Sequence, residues 1–449
     1  MAMQDIKEIM KKRSKYLIAF VLIIVLCFVY YLTSQTGLVP GANEKVDERI
    51  KAYKDAEEAK ETMEGQILDV DGNPITVAEE KGVPAKCLYP ECYSSIVGYR
   101  SKIYGTSGLR ERYKDILLHG GKDKKGANLV LTINNQFQQY CYDLLGENVG
   151  SITVYENYAG NIRAMVSRGD SNIEYNVNEI DKNFQTYQNI DGFFYNRAVL
   201  AQDAPGSTFK MITAAALLEN GKENYIYKDA GEYLGIHNAG RAAYGTLNLT
   251  NAMIHSSNTY FASAGNLLGG AKLYETGKKF YLGEEIPLDF TTLKSNFDLE
   301  YYQEKLVAQT AFGQGKTQIS PLQIGMILQS IVGYGSMTEP YMVAAIEDDG
   351  KIDQFIDPKR ISGDTMSEAS AGKLREVLHQ TALSYGLGEE YGTIYAKTGT
   401  VQFENKNYHH TYLVFASEDY TGVISMDQSK GTSHDLVKIA KAILEYLKK

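Results

Sequence analysis

The longest uninterrupted apolar stretch of the chain runs from Tyr16 to Leu32 and carries no charge. Lys7, Lys11, Lys12, Arg13 and Lys15 lie ahead of it. Its length is at the short end of the roughly 20 residues that cross a bilayer, and longer than the apolar core of a cleaved signal peptide. The next residues, Thr33-Ser34-Gln35-Thr36-Gly37, contain no Ala-x-Ala site. The pattern predicts an uncleaved signal anchor over 16–33. The basic residues place 1–15 in the cytoplasm and the rest of the chain outside.

After a short linker, Gly37 to Gly41, the pattern turns helical. Val46, Ile50, Tyr53 and Ala56 recur on one face of a heavily charged stretch from Glu44 to Glu64. Glu64 to Ile75 then reads as strand, turn, strand, with Asp71-Gly72 at the turn. A Gly/Lys-rich stretch from His119 to Gly126 marks the end of this region. Asn128 to Ile133 has the alternation of a strand, and Asn134 to Leu145 that of a helix. Gly150–Asn157 and Gly160–Ser167 read as a hairpin turning at Tyr158-Ala159-Gly160. Near the other end, Thr393–Phe403 and Tyr408–Ser417 form a second strand pair, and Asp435 to Leu447 an amphipathic helix capped by Ser433. Strands at both ends with helices between them predict an α+β domain, one antiparallel sheet flanked by helices. The expected organisation is tail 1–15, membrane helix 16–33, linker and small pedestal 34–126, and main domain 127–449.

Composition adds little to this picture. The chain has 449 residues, enough for two or three domains. Its net charge of −9 argues against nucleic acid as a partner. Of four cysteines, Cys27 lies in the predicted span and Cys141 on the apolar side of a helix. Cys87 and Cys92 flank Tyr89-Pro90 and are near enough in sequence either to pair outside the cell or to stay free. No Cys/His spacing suits zinc, and alternation sends His409 and His410 to opposite faces of their strand. Ser433-His434-Asp435 spells a triad, but neighbours in sequence do not converge on one point.

The stretch with the most chemistry is Pro205-Gly206-Ser207-Thr208-Phe209-Lys210, followed by an almost wholly apolar helix to Leu218. Lys210 lies one helical turn after Ser207, on the same face. Burial of such a helix disfavours an ammonium, and a neutral amine beside a hydroxyl is a base beside a nucleophile. The same two residues also suit a serine cap followed by a snorkelling lysine. Two later stretches bear on that choice: Ser256-Ser257-Asn258, a Ser-x-Asn, and Lys397-Thr398-Gly399-Thr400, a Lys-Thr-Gly.

Ser-x-x-Lys, Ser-x-Asn and Lys-Thr-Gly in this order resemble the signature of penicillin-binding proteins and serine β-lactamases. Asn196-Arg197-Ala198, Gly313-Gln314-Gly315 and Ser320-Pro321-Leu322-Gln323 narrow the resemblance to the transpeptidase domain of class B penicillin-binding proteins. The resemblance covers roughly residues 60–445 and implies the penicillin-binding transpeptidase fold. It implies Ser207 as nucleophile, Lys210 as base and Ser256 as proton relay. Asn258, Lys397, Thr398, Gly399 and Thr400 would bind substrate, with Ser207 and Thr400 amides forming an oxyanion hole. The implied substrate is a peptidoglycan stem peptide ending in D-Ala-D-Ala, and the implied inhibitors are β-lactams. A membrane-embedded peptidoglycan polymerase is the implied partner, and no cofactor is called for. A D,D-carboxypeptidase, a β-lactamase, or a β-lactam sensor or inactive scaffold are the competing readings. The resemblance is looser before residue 127. Glu64 stands where the family's pedestal has Arg in Arg-Gly-x-Ile, and Arg110 interrupts its Gly-x-x-Gly-(Leu/Ile)-Glu pattern in Gly105–Glu111.

Overall fold

The computed structural model describes residues 22–26 and 60–448, apart from 102, 124, 170–174, 190–193, 300–302, 357–359, 362, 403–408 and 430–432. The basic tail, Cys27, most of the expected anchor and most of the charged 44–64 stretch lie outside the described residues. Residues 22–26 are helical. Among the described residues no helix is long and apolar enough to cross a membrane. Residues from Met63 onward form one compact unit.

In chain order, the elements that carry that unit are β1 (Ile67–Leu68), β2 (Asn128–Leu131), α1 (Asn135–Leu145), β3 (Gly150–Glu156), β4 (Ile162–Arg168), α2 (Lys210–Glu219), α3 (Asn258–Leu268), α4 (Pro321–Val332), β5 (Val343–Asp348), β6 (Lys351–Phe355), α5 (Glu368–Ser384), β7 (Tyr395–Gln402), β8 (His409–Ala416), β9 (Tyr420–Ser429) and α6 (Ser433–Leu447). The main sheet has the order β7-β8-β9-β3-β4 and is antiparallel throughout. The predicted hairpin is β3 and β4, paired from Gly150↔Arg168 onward, and the predicted late pair is β7 and β8.

The strand between these pairs, β9, was not legible in the sequence. It joins the two ends of the chain, pairing β8 on one side and β3 on the other. Thr421, Val423, Ile424 and Ser425 are all buried, so the two-residue alternation that marks a half-exposed strand is missing. Helices cover the sheet. Against β8 and β9 packs α4, every residue of which is buried. Its Ser320 cap accepts a bond from Gln323 N, and Pro321 occupies the first turn, where no N–H is needed. Elsewhere α1 and α6 pack on the sheet and on each other, with the Phe137 and Tyr446 rings stacked at 4.7 Å.

A second sheet has the order β1-β2-β5-β6. Here β1 runs parallel to β2, so residues on either side of position 126 share one sheet. The turn at Asp71-Gly72 is present. Asp69 Oδ1 accepts from the Asp71 and Asn73 amides at 3.0 and 2.8 Å, and Gly72 takes φ +80°. Most of the charged helix expected over 44–64 lies outside the described residues; its described end, residues 60–64, is turn and bridge, with Met63 bridging Lys125. Cys87, Cys92 and Cys141 are free, buried thiols. Burial pushes the Cys87 thiol up to about 11 and raises Cys92 and Cys141 further, so all three behave as small apolar groups.

The two departures from the family pattern turn out to be one feature. Glu64, only 3% exposed, receives Arg110 Nε at 3.0 Å and Arg100 Nη2 at 3.0 Å, together with the Ala85 amide at 2.8 Å. Arg110 also donates to the carbonyls of Gly98 and Ala85. The acid that stands where the resemblance expects Arg is thus paired with the Arg that interrupts the second pattern. Removing one partner of a buried pair leaves an uncompensated charge, at about 3–5 kcal/mol. Glu64→Ala should therefore lower stability by that order, measured from urea unfolding. A loss no greater than that of a surface Glu→Ala control would remove the structural role assigned to the pair.

Candidate active site

The nucleophile candidate lies on a short turn, not in the helix proper. Gly206–Phe209 form a 3₁₀ turn that runs straight into α2 at Lys210. Gly206 has φ +55°, and its N–H donates to Gly313 O at 2.9 Å. A Cβ on Gly313 would lie 1.7 Å from Gly206 O, which is why the Gly313-Gln314-Gly315 stretch must begin with glycine. On the other side the turn meets β7. A Cβ on Gly399 would lie 3.0 Å from Pro205 O and 3.1 Å from Thr208 Cγ2. The missing side chain of Gly399 thus makes room for the nucleophile turn. The Thr400 backbone lies beside Gly206, and Thr400 itself is exposed.

Lys210 and Lys397 are both 0% exposed. Lys210 Nζ is 2.9 Å from Ser207 Oγ, 2.8 Å from Asn258 Oδ1, 2.6 Å from Ser256 O and 3.1 Å from Ser256 Oγ. Lys397 Nζ is 3.0 Å from the same Ser256 Oγ, 3.2 Å from Tyr385 Oη and 3.2 Å from Thr398 O. The fold therefore brings Ser207, Lys210, Ser256, Asn258, Lys397 and Thr398 into one hydrogen-bonded cluster.

Burial, and then the charge of Lys397, hold the Lys210 amine well below the ordinary lysine value. A neutral amine has two hydrogens and one lone pair. Asn258 Oδ1 and Ser256 O can only accept, so they take both hydrogens. Asn258 cannot flip, because its Nδ2 donates to His237 O at 3.0 Å. The lone pair is left facing the Ser207 and Ser256 hydroxyls. That is the arrangement of a base poised to take a hydroxyl proton.

Three residues of the site carried no sequence signal. Ser256 has φ +52°, a left-handed conformation costing a non-glycine residue about 1–2 kcal/mol. A buried network holds it there. Ser257 caps α3 by accepting from Tyr260 N, and donates to Asp229 Oδ2 at 2.8 Å. Asn238 donates to both Asp229 oxygens and accepts from the Asn258 amide at 2.8 Å. Asp229 ends a short strand, Tyr227–Asp229, and Asn238 follows another, Ile236–His237, and only folding brings the two under Asn258. The third is Tyr385, which follows α5 and touches both Lys397 and Thr398.

His410 Nδ1 is 3.2 Å from Asp203 Oδ2. Among the described residues no group of His, Cys, Asp and Glu is arranged to hold a metal.

Residues 150–445 match the penicillin-binding protein transpeptidase domain family. The chain belongs to this family. Among its relatives is a peptidoglycan D,D-transpeptidase PbpA of Mycolicibacterium smegmatis, 26% identical over 58% of this chain and 60% of that protein. Penicillin-binding protein 3 of Bacillus subtilis is 26% identical over 76% of this chain and 54% of that protein. The chain thus spans 60% or less of the length of these relatives. Similar solved structures include a D,D-transpeptidase domain of a peptidoglycan glycosyltransferase from Eggerthella lenta, with TM-score 0.77, 25% identity and coverage of 86% of this chain and 99% of that one. A ceftriaxone acyl-enzyme complex of penicillin-binding protein A from M. tuberculosis has TM-score 0.77 and 22% identity, over 87% of this chain and 99% of that one. The likeness in fold agrees with the α+β sheet and flanking helices expected from the sequence.

The depressed Lys210 value has a consequence for stability. Below the ordinary lysine value of 10.5, the unfolded chain holds a proton on Lys210 that the folded chain lacks. The unfolded state then binds more protons, so stability rises with pH from the depressed folded value up to the ordinary one. Lys210→Met should flatten this rise, measured as urea midpoints across about pH 7 to 10. Equal slopes in the two proteins would mean that Lys210 is protonated in the fold.

Proposed function

We propose that the chain is a serine D,D-transpeptidase that cross-links peptidoglycan stem peptides and is acylated by β-lactams. One observation carries the reading: the two N–H bonds of a neutral Lys210 are held by acceptor-only oxygens, leaving its lone pair at Ser207 Oγ, 2.9 Å away. Ser207 Oγ attacks the penultimate D-Ala carbonyl as Lys210 takes its proton. The Ser207 and Thr400 amides hold the developing oxyanion. The Ser256 hydroxyl, in contact with both lysines, passes a proton to the departing amine, and the C–N bond to the terminal D-Ala breaks. The amine of a second stem peptide then attacks the ester, forming the new amide and restoring the serine. Asn258 holds the peptide bond. Thr398 and Thr400 offer hydroxyls, and Lys397 a positive charge, to the terminal carboxylate.

The apolar 16–33 stretch is the anchor, with 1–15 in the cytoplasm. Residues 34–126 form linker and pedestal, and 127–449 the transpeptidase domain on the outer side of the membrane. A membrane-embedded peptidoglycan polymerase is the partner that would supply the strands.

Fluorescent penicillin should label the wild-type protein on Ser207 alone, located by mass mapping, and Ser207→Ala should not be labelled. Lys210→Met should acylate about 10²–10⁴-fold more slowly, the usual cost of losing a general base. With a thioester donor and a D-amino-acid acceptor the wild type should form an amide. Hydrolysis alone would favour a carboxypeptidase, and an adduct elsewhere than Ser207 would overturn the assignment.

A further inference from the structure

Lys397 is the buried cation nearest the place assigned to the substrate carboxylate, yet its hydrogens are already engaged. An ammonium has three N–H bonds. Ser256 Oγ, Tyr385 Oη and Thr398 O stand at 3.0, 3.2 and 3.2 Å from Lys397 Nζ and account for all three. A carboxylate arriving at this wall would meet the cation's field but none of its hydrogens. It would meet hydroxyls.

Tyr385 presents such a hydroxyl. Its oxygen lies 3.1 Å from Thr398 Oγ1 and 3.5 Å from Thr398 N, as well as near Lys397. Lys397 and the Thr398 amide can only donate, so the phenol oxygen accepts from them. Between Tyr385 and Thr398 there are two hydroxyl protons and a single mutual contact. Whichever of the two donates across it, one proton remains for an outside acceptor. An ammonium bonded to the phenol oxygen polarises it and makes it a stronger donor. The group is also held in place. Tyr385 caps α5, its N–H bonding back to Ala382 O and Leu383 O. That helix is tied to the strand carrying Lys397 by His379 Nδ1, 2.9 Å from Ile394 O, and by Arg375, which bonds Tyr395 Oη at 2.6 Å.

We propose that Tyr385 is a substrate-binding residue, whose hydroxyl, with that of Thr398, receives the terminal carboxylate of the peptide or β-lactam and transmits to it the charge of Lys397. This rests on the transpeptidase reading above and adds a specificity-determining residue to it. Lys397 in this arrangement acts on the carboxylate through its neighbours.

The test compares acylation of the full-length protein in detergent by benzylpenicillin and by its methyl ester, which keeps the ring but lacks the negative charge. Wild type should prefer the free acid. Tyr385→Phe removes one oxygen and should slow acylation by the acid about ten- to a hundredfold, the effect of losing a hydrogen bond to a charged group. It should leave the ester rate within about twofold, because a lost bond to an absent charge costs nothing. The unfolding midpoint should fall, because buried Lys397 loses one of its three acceptors, so the readout is the acid-to-ester ratio of the folded protein. An equal fall for acid and ester, or no fall for either, would overturn the role of Tyr385. Thr398→Val offers a second arm, since its loss should reduce the same acid-over-ester preference. A wild-type protein acylated by neither compound would instead sink the transpeptidase reading itself.

Discussion

Two fully buried lysines share one serine hydroxyl, and the rest of the site follows from that constraint. Both Lys210 and Lys397 contact Ser256 Oγ, so the two nitrogens are no more than about 6 Å apart. Two positive charges at that spacing repel by about 3 kcal/mol even at an effective dielectric of about 20, and each also loses its hydration. The protein resolves the conflict by neutralising one of them. Lys397 keeps three oxygen partners suited to a cation. Lys210 is left with two acceptor-only oxygens and two hydroxyls, a set that suits an amine. After burial, the charge of Lys397 thus also favours the neutral form of Lys210.

Such a cluster needs backbone held closer than side chains permit. At Gly313 and Gly399 a Cβ would press on the nucleophile turn, so glycine there is a requirement of packing before it is one of chemistry. Ser256 is held in a left-handed conformation by the buried Asp229–Asn238–Ser257 network, which fixes the start of α3. Strain of this kind persists only where surroundings over-determine it, and here the hydrogen bonds converge from three separate segments.

The region before β2 obeys the same physics with opposite signs. A buried ion pair depends on complementarity, not on which partner carries which charge. Glu64 with Arg110 satisfies the requirement, and Arg100 adds a second donor that fixes the acid's position. Two positions that each weakened the resemblance when taken one at a time are joined across 46 residues by a single contact.

Local pattern determined a good deal. The α+β class, the β3–β4 hairpin, the β7–β8 pair and the turn at Asp71-Gly72 were all legible, because alternation, glycine turns and helix caps act over a few residues. The three motifs were legible because reactive groups need particular residue types at fixed short spacings, such as one helical turn between Ser207 and Lys210. Tertiary structure decided the rest. It decided that β9, buried on both faces and so without alternation, joins the two ends of the chain. It decided that Asp229, Asn238 and Tyr385 belong to the site, since their partners are distant in sequence and a lone Asp, Asn or Tyr carries no local sign of its use. It decided the charge of Lys210, because a pKa depends on the solvent excluded and the charges gathered nearby, and both of these exist only once the chain has folded.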